Sequence, residues 1–350
     1  MKAGVLYAPH DLRVEDRPDP GFGPDDVVVQ VTFNGLCGTD ATEFAKGPMM
    51  VPLTTPHPGS RHVGPTILGH EFIGVVVDAG ANARGRIGSR VACGAGVSCG
   101  SCEWCRSGRT NLCAGYYTLG LSIHGGLAEF AAAPSSICLD IPDSCSDLNA
   151  ALAQPLAVGI HSVRRANLSP GDTVVLLGVG AIGSFICSAL AGHEGRVIAI
   201  DIEQSRLDVA RSLGADDTML IGTDTSSQEL RDLLPGGANV VFETSGALGS
   251  AERAFALAAR GGDVVLVGLN KTAQPLNLAD IVLREVNVQT TVAHVCGQDM
   301  PAALELLDRC DLATDLVGEV VPLEDVVASG FEPLAGGTAR GKLLVDPRRG

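Results

Sequence analysis

Between residues 156 and 294, short apolar runs alternate with segments of helical period, and this alternation limits the possible folds more than any other feature. The runs TVVLLG, RVIAID, NVVFETSG, DVVLVGL and NVQTTV are separated by AIGSFICSALAGH, SRLDVARSLGA and LGSAERAFALAARGG. Strands that are apolar along their whole length must be covered on both faces, so the series predicts a parallel sheet flanked by helices. Thr173 to Gly192 carries no acidic or basic residue and is long enough to mimic a membrane span. Gly178, Gly180 and Gly183 punctuate it at turn spacing, which resolves it into a buried strand, a turn and a helix start.

That turn is GVGAIG, a G-x-G-x-x-G sequence placed after a strand and before a helix. Gly178 permits the tight turn, Gly180 lets the backbone approach a pyrophosphate, and Gly183 permits close helix packing. The helix N-terminus offers free N–H groups to the anion. Asp201 ends the next strand run, where a carboxylate accepts hydrogen bonds from ribose hydroxyls; it could also cap the following helix. A 2′-phosphate would meet its charge, so NAD is expected over NADP unless Arg206 compensates. Ile182, Arg206, Gly268 and Leu269 complete the expected cofactor contacts.

A chain of 350 residues exceeds the roughly 100 to 200 usual for one domain. The first 150 or so are rich in Val, Gly and Pro, with alternating runs such as DDVVVQVTF and FIGVVVDAG, which predict an irregular β domain. The last 55 or so, ending in GKLLVDP, are expected to return to it. The expected boundaries are 1–155 with 295–350 for the β-rich domain and 156–294 for the helix-flanked sheet, packed closely around a cleft. A net charge of −15 argues against nucleic acid as a partner, because phosphate binding needs concentrated Lys and Arg. The opening residues have no apolar stretch followed by a small-residue cleavage site, so export is not expected and a cytoplasmic protein is.

Of 11 cysteines, four stand close together: Cys99, Cys102, Cys105 and Cys113, in VSCGSCEWCRSGRTNLC. Ligands this closely spaced can satisfy one tetrahedral zinc, and in a reducing compartment metal binding is favoured over disulfide pairing. Four protein thiolates leave no position for substrate, so this site, in a lobe at about 93–115, is expected to be structural. Cys93, just before it, reads as a small buried residue.

Cys37 in GLCGTD and His70 with Glu71 in GHEF are weak signals singly. Together they supply the sulfur, imidazole and carboxylate types of an open, catalytic zinc site.

In these motifs the chain resembles the zinc-containing medium-chain dehydrogenase/reductase family of alcohol, sorbitol, threonine and butanediol dehydrogenases. GLCGTD, GHEF, the four-cysteine lobe, GGLAEF, QPLAVGIHSV and GVGAIG occur in the family's order over nearly the whole chain. The resemblance implies a GroES-like catalytic domain and a Rossmann NAD-binding domain, two zinc ions per chain, and a homodimer or homotetramer. The segment between Cys37 and His70 looks most like the longer loop of butanediol dehydrogenases, and Thr54 to Pro65 with Ala293 to Cys296 are candidate pocket linings.

The implied reaction is zinc-assisted hydride transfer between a small-molecule secondary alcohol, of vicinal diol or polyol type, and NAD. Cys37 and His70, with Glu71 or Gln154, would hold the metal. Relatives of polyol type carry Glu-Pro-Leu where this chain has Gln154-Pro155-Leu156, and a neutral ligand leaves the ion more electrophilic. Relatives also often have a histidine at Thr42 as a proton relay. Thr39 keeps the relay hydroxyl, with His57 or His62 as possible substitutes. Two other readings stay open: a biosynthetic NAD(P)H-dependent reductase of a cyclitol or amino-sugar ketone, and a non-catalytic zinc-stabilised NAD-binding protein.

Overall fold

The strand Asp26–Gly35 organises the β-rich part of the chain. It pairs antiparallel with Glu71–Ala79 along most of its length, with Phe130–Pro134 at its start and with Lys342–Asp346 at its end. Arg90–Cys93 and Cys138–Asp140 extend the sheet beyond Glu71–Ala79, and Val317–Pro322 extends it beyond Lys342–Asp346. Gly35 stands opposite Glu71 on one side and Leu344 on the other. The register therefore gathers three strand ends: the exit toward Cys37, the start at Glu71 and the start at Lys342. A core of Val5, Leu6, Leu36, Phe44, Leu68, Leu127 and Phe331 fills the space beside them.

This computed structural model describes residues 1–269 and 272–349 and divides into two compact units, Met1–Ala157 with His294–Gly350, and Val158–Ala293.

The second unit is a parallel sheet of six strands in the order Asp217–Leu220, Val197–Asp201, Val174–Leu177, Ala238–Glu243, Ala258–Leu266, Asn287–Thr290. Numbered along the unit this is 3-2-1-4-5-6, the doubly wound arrangement, whose strand order reverses between Val174–Leu177 and Ala238–Glu243. The central strands are buried throughout, as their unbroken apolar runs require. Val175, Leu177, Ile198, Ile200, Val241 and Phe255 form the core against the helices. The strand Asp217–Leu220 and the helix Ser227–Leu233 add a unit that the apolar periodicity does not announce. The strand is largely half-buried and the helix largely exposed, and DTML is too polar and short to stand out. No helix among the described residues is long and apolar enough to cross a membrane.

Candidate metal centres and dinucleotide turn

Cys37 is the N-cap of the helix Gly38–Lys46, in an extended conformation (φ −103°, ψ 154°). Asp40 Oδ2 accepts a hydrogen bond from its backbone N–H at 3.0 Å. The helix N-terminus favours negative charge on the residue that caps it. His70 and Glu71, at the start of the neighbouring strand, complete a group whose ligand atoms all lie within 4.8 Å of one another. His70 and Glu71 are buried and Cys37 is half-buried.

The surroundings fit a metal. His70 Nδ1 lies 3.2 Å from Oδ1 of the fully buried Asp40. A ligating imidazole commonly turns its other nitrogen to a carboxylate in this way, which leaves Nε2 for the ion. A thiol, an imidazole and a carboxylate packed this closely are a donor set that suits a zinc ion. Burial works against a charged imidazole at His70, and the opposing effect of Asp40 and Cys37 raises its pKa well above the ordinary histidine value. Lys342, equally buried, forms an ion pair with Glu71. Burial opposes its charge too, but Glu71 and then Cys37 outweigh it and raise its pKa. Gly35 makes room for this pair: a Cβ there would strike Glu71 Oε2 and approach Lys342 Cε at 3.0 Å.

Asp40 and Lys342 belong to this buried group, although the sequence alone does not single them out. Asp40 is visible within GLCGTD. Lys342, far along the chain, is brought in only by sheet register.

The remaining expected residues fall as follows. Gln154 stands half-buried near the start of the helix Ala153–Arg165. Thr39 is half-buried on the first turn after Cys37. Thr42 donates its hydroxyl to the carbonyl of Gly38 at 2.8 Å, so it is committed to its own helix. His57 Nδ1 accepts the N–H groups of Gly59 and Ser60, and His62 Nε2 lies 2.9 Å from Thr66 Oγ1. Both rings thus organise their own loop.

Cys99, Cys102, Cys105 and Cys113 converge, with all four sulfurs within 4.8 Å. The Cys99–Cys105 and Cys102–Cys105 separations are 4.0 and 3.5 Å. Zinc–sulfur bonds of about 2.3 Å in a tetrahedron place sulfurs about 3.8 Å apart. N–H groups of Ser101 and Cys102 lower the Cys99 thiol to about 6, as a metal-binding thiolate requires. Cys93 lies buried across the sheet from Cys138, outside this lobe.

In the second unit, Gly178 follows the strand Val174–Leu177 with φ +93°, a conformation open to glycine. Gly180 is the N-cap of the helix Ala181–Ala189, and a Cβ built on it would meet nothing within 4 Å. The backbone is therefore open to a close-lying group such as a pyrophosphate. A Cβ at Gly183 would strike the Gly178 carbonyl. Ile182 and Gly268 are half-buried, and Leu269 is exposed.

Asp201 is 5 % exposed. Its Oδ2 accepts Val179 N–H at 2.8 Å, and its Oδ1 accepts the N–H groups of Ile202 and Glu203 at 2.8 and 3.0 Å. The N-cap of the next helix is Glu203. Asp201 instead ties its strand to the glycine turn. Arg206 pairs with Glu203 at 2.9 Å and with Asp201 at 3.5 Å, so both partners already draw on its charge.

The segment Glu243–Gly246, which runs from the central strand end past Gly178, is likewise silent in the sequence. Its sole sign there is the ETSG that follows an apolar run.

Two family models match: an alcohol dehydrogenase GroES-like domain over residues 23–143 and a zinc-binding dehydrogenase domain over 181–309. Sorbitol dehydrogenase of Bacillus subtilis is 32 % identical over 90 % of this chain and 89 % of its own. The crystal structure of 2R,3R-butanediol dehydrogenase from Bacillus subtilis superposes with a TM-score of 0.90 at 28 % identity, covering 99 % of both chains. A zinc-binding dehydrogenase structure from Sinorhizobium meliloti, solved bound to NADP, gives 0.84 at 27 % identity over 99 % of both chains.

Proposed function

Because this chain belongs to the zinc-type alcohol dehydrogenase family of medium-chain dehydrogenases, we propose that it transfers a hydride between a secondary alcohol, of vicinal diol or polyol type, and NAD. The observation that carries this reading is the buried group of Cys37, His70 and Glu71, whose thiol, imidazole and carboxylate fit an open zinc site. The relatives named sorbitol dehydrogenase and butanediol dehydrogenase support the substrate class.

Zinc held there supplies a Lewis acid that eases loss of the hydroxyl proton, and NAD supplies the hydride acceptor. Cys37, His70 and Glu71 hold the metal, and Gln154 is the alternative to Glu71. Asp40 orients His70, and Lys342 fixes Glu71. Thr39 Oγ1 carries the substrate proton onward, since the Thr42 hydroxyl is engaged with Gly38. Cys99, Cys102, Cys105 and Cys113 hold a second, structural zinc. Gly178 to Gly183 receives the pyrophosphate. NAD rather than NADP is favoured by the buried carboxylate of Asp201 and by the existing pairing of Arg206, which leaves little free positive charge for a 2′-phosphate.

The test is a screen of NADH and NADPH formation over vicinal diols, polyols, cyclitols and threonine with added zinc. Turnover of a diol or polyol with NAD is expected. Turnover confined to cyclitols or threonine, or only with NADP, contradicts the reading.

A further inference from the structure

Glu243 ends the central strand Ala238–Glu243 at the point where the strand order of the second unit reverses. Doubly wound sheets bind their ligands at the carboxyl ends of strands beside that reversal. The side chain is 2 % exposed, and a buried carboxylate needs hydrogen-bond donors. It has three: Oε1 accepts Ser245 N–H at 2.9 Å, Ser245 Oγ–H at 2.7 Å and Gly246 N–H at 2.9 Å.

The segment held in this way lies against both parts of the chain assigned to the dinucleotide. On one side, Thr244 N–H donates to the Leu177 carbonyl at 3.1 Å and Thr244 Oγ1 donates to the Gly178 carbonyl at 2.5 Å. A Cβ at Gly178 would lie 3.0 Å from Ser245 Cβ. On the other side, the Glu243 carbonyl accepts the N–H groups of Val267 and Gly268 at 2.8 and 2.9 Å. A Cβ at Gly268 would strike Gly246 N and stand 2.8 Å from Glu243 Oε2.

The geometry points to Glu243 as a positioning residue for the cofactor: its carboxylate locks Ser245 and Gly246 between the glycine turn and Gly268, and so sets the affinity for the dinucleotide. The Gly178–Gly183 turn cannot shift without moving Thr244, and Gly268 cannot shift without moving Gly246. One buried carboxylate thus couples the two backbone surfaces. The inference rests on the assignment of a nicotinamide dinucleotide to this unit.

The experiment is titration of the zinc-replete protein with NADH, together with KM for NAD and for the alcohol, in Glu243→Ala, Glu243→Gln and Ser245→Ala. Charged hydrogen-bonding groups of this kind support losses of about tenfold or more when removed. Glu243→Ala is expected to weaken NADH by about tenfold and to raise KM for NAD more than KM for the alcohol, with zinc content unchanged. Glu243→Gln retains an acceptor at Oε1 and is expected to stay within about threefold of the parent. Ser245→Ala removes one of the three donors and is expected to cost about threefold. Should Glu243→Ala fail to fold, the other two variants decide. Parent-like NADH affinity in Ser245→Ala with a Glu243→Gln loss as large as tenfold overturns the proposal. Equal rises in both KM values overturn it as well, because they mark a purely structural role. Binding of neither NADH nor NADPH to the parent protein overturns the dinucleotide assignment itself.

Discussion

Asp40 Oδ1 stands 3.2 Å from His70 Nδ1, while Asp40 Oδ2 accepts the backbone N–H of Cys37. One buried carboxylate thus positions two of the three proposed metal ligands. Asp40→Asn keeps the shape and removes the charge. Outer partners of this kind change metal affinity or activity by about tenfold to a hundredfold. Chelator competition is expected to show one of the two zinc ions released that much more readily, with the four-cysteine lobe as an internal control. Equal retention of both ions would remove Asp40 from this role.

Lys342 and Glu71 form the other buried pair at the site. Removing one partner leaves an uncompensated charge, which costs about 3 kcal/mol or more. Lys342→Met is expected to lower unfolding stability by that order in urea, and the double variant with Glu71→Gln to recover much of it. Additive losses in the double variant would show that the pair is not coupled.

Much of the fold and of the site is legible in the amino-acid sequence. The lobe cysteines are close along the chain, so their spacing alone defines the site. The unbroken apolar runs define a sheet covered on both faces. Cys37, His70 and Glu71 are legible as ligand types because each lies in a short motif. Lys342 and Glu243 are not: the first reaches Glu71 only through the register of Lys342–Asp346 on Asp26–Gly35, and the second matters through backbone groups that carry no sequence signature. Asp201 is legible as a carboxylate at a strand end, but its grip on Val179 depends on the turn's path.

That grip bears on cofactor choice. Asp201→Ala removes both the carboxylate proposed to meet the ribose and the acceptor for Val179 N–H. The ratio of kcat/KM for NAD over NADP is expected to fall by about tenfold, with weaker binding of both cofactors. An unchanged ratio would exclude Asp201 as the discriminating group.

Alkaline stability follows from groups buried in their neutral forms. Burial raises Cys187 from 9.0 to about 11, Cys296 from 9.0 to about 12 and Tyr116 from 10.0 to about 12. The folded chain then holds protons that the unfolded chain has released, so stability falls as pH rises. Full stability is expected below pH 9, with a progressive decline in Tm between pH 9 and 12. A Tm that stays level from pH 8 to 11 would contradict these assignments.

The central claim is that chemistry occurs at Cys37, His70 and Glu71 and not at the four-cysteine lobe. It is tested most directly by zinc content and NADH formation measured together on the parent protein and on Cys37→Ala. Two zinc ions per chain are expected in the parent and one in the variant, with turnover reduced by roughly a thousandfold or more, as loss of a Lewis-acid metal implies. A Cys37→Ala protein that keeps two zinc ions and the parent's rate would contradict the account.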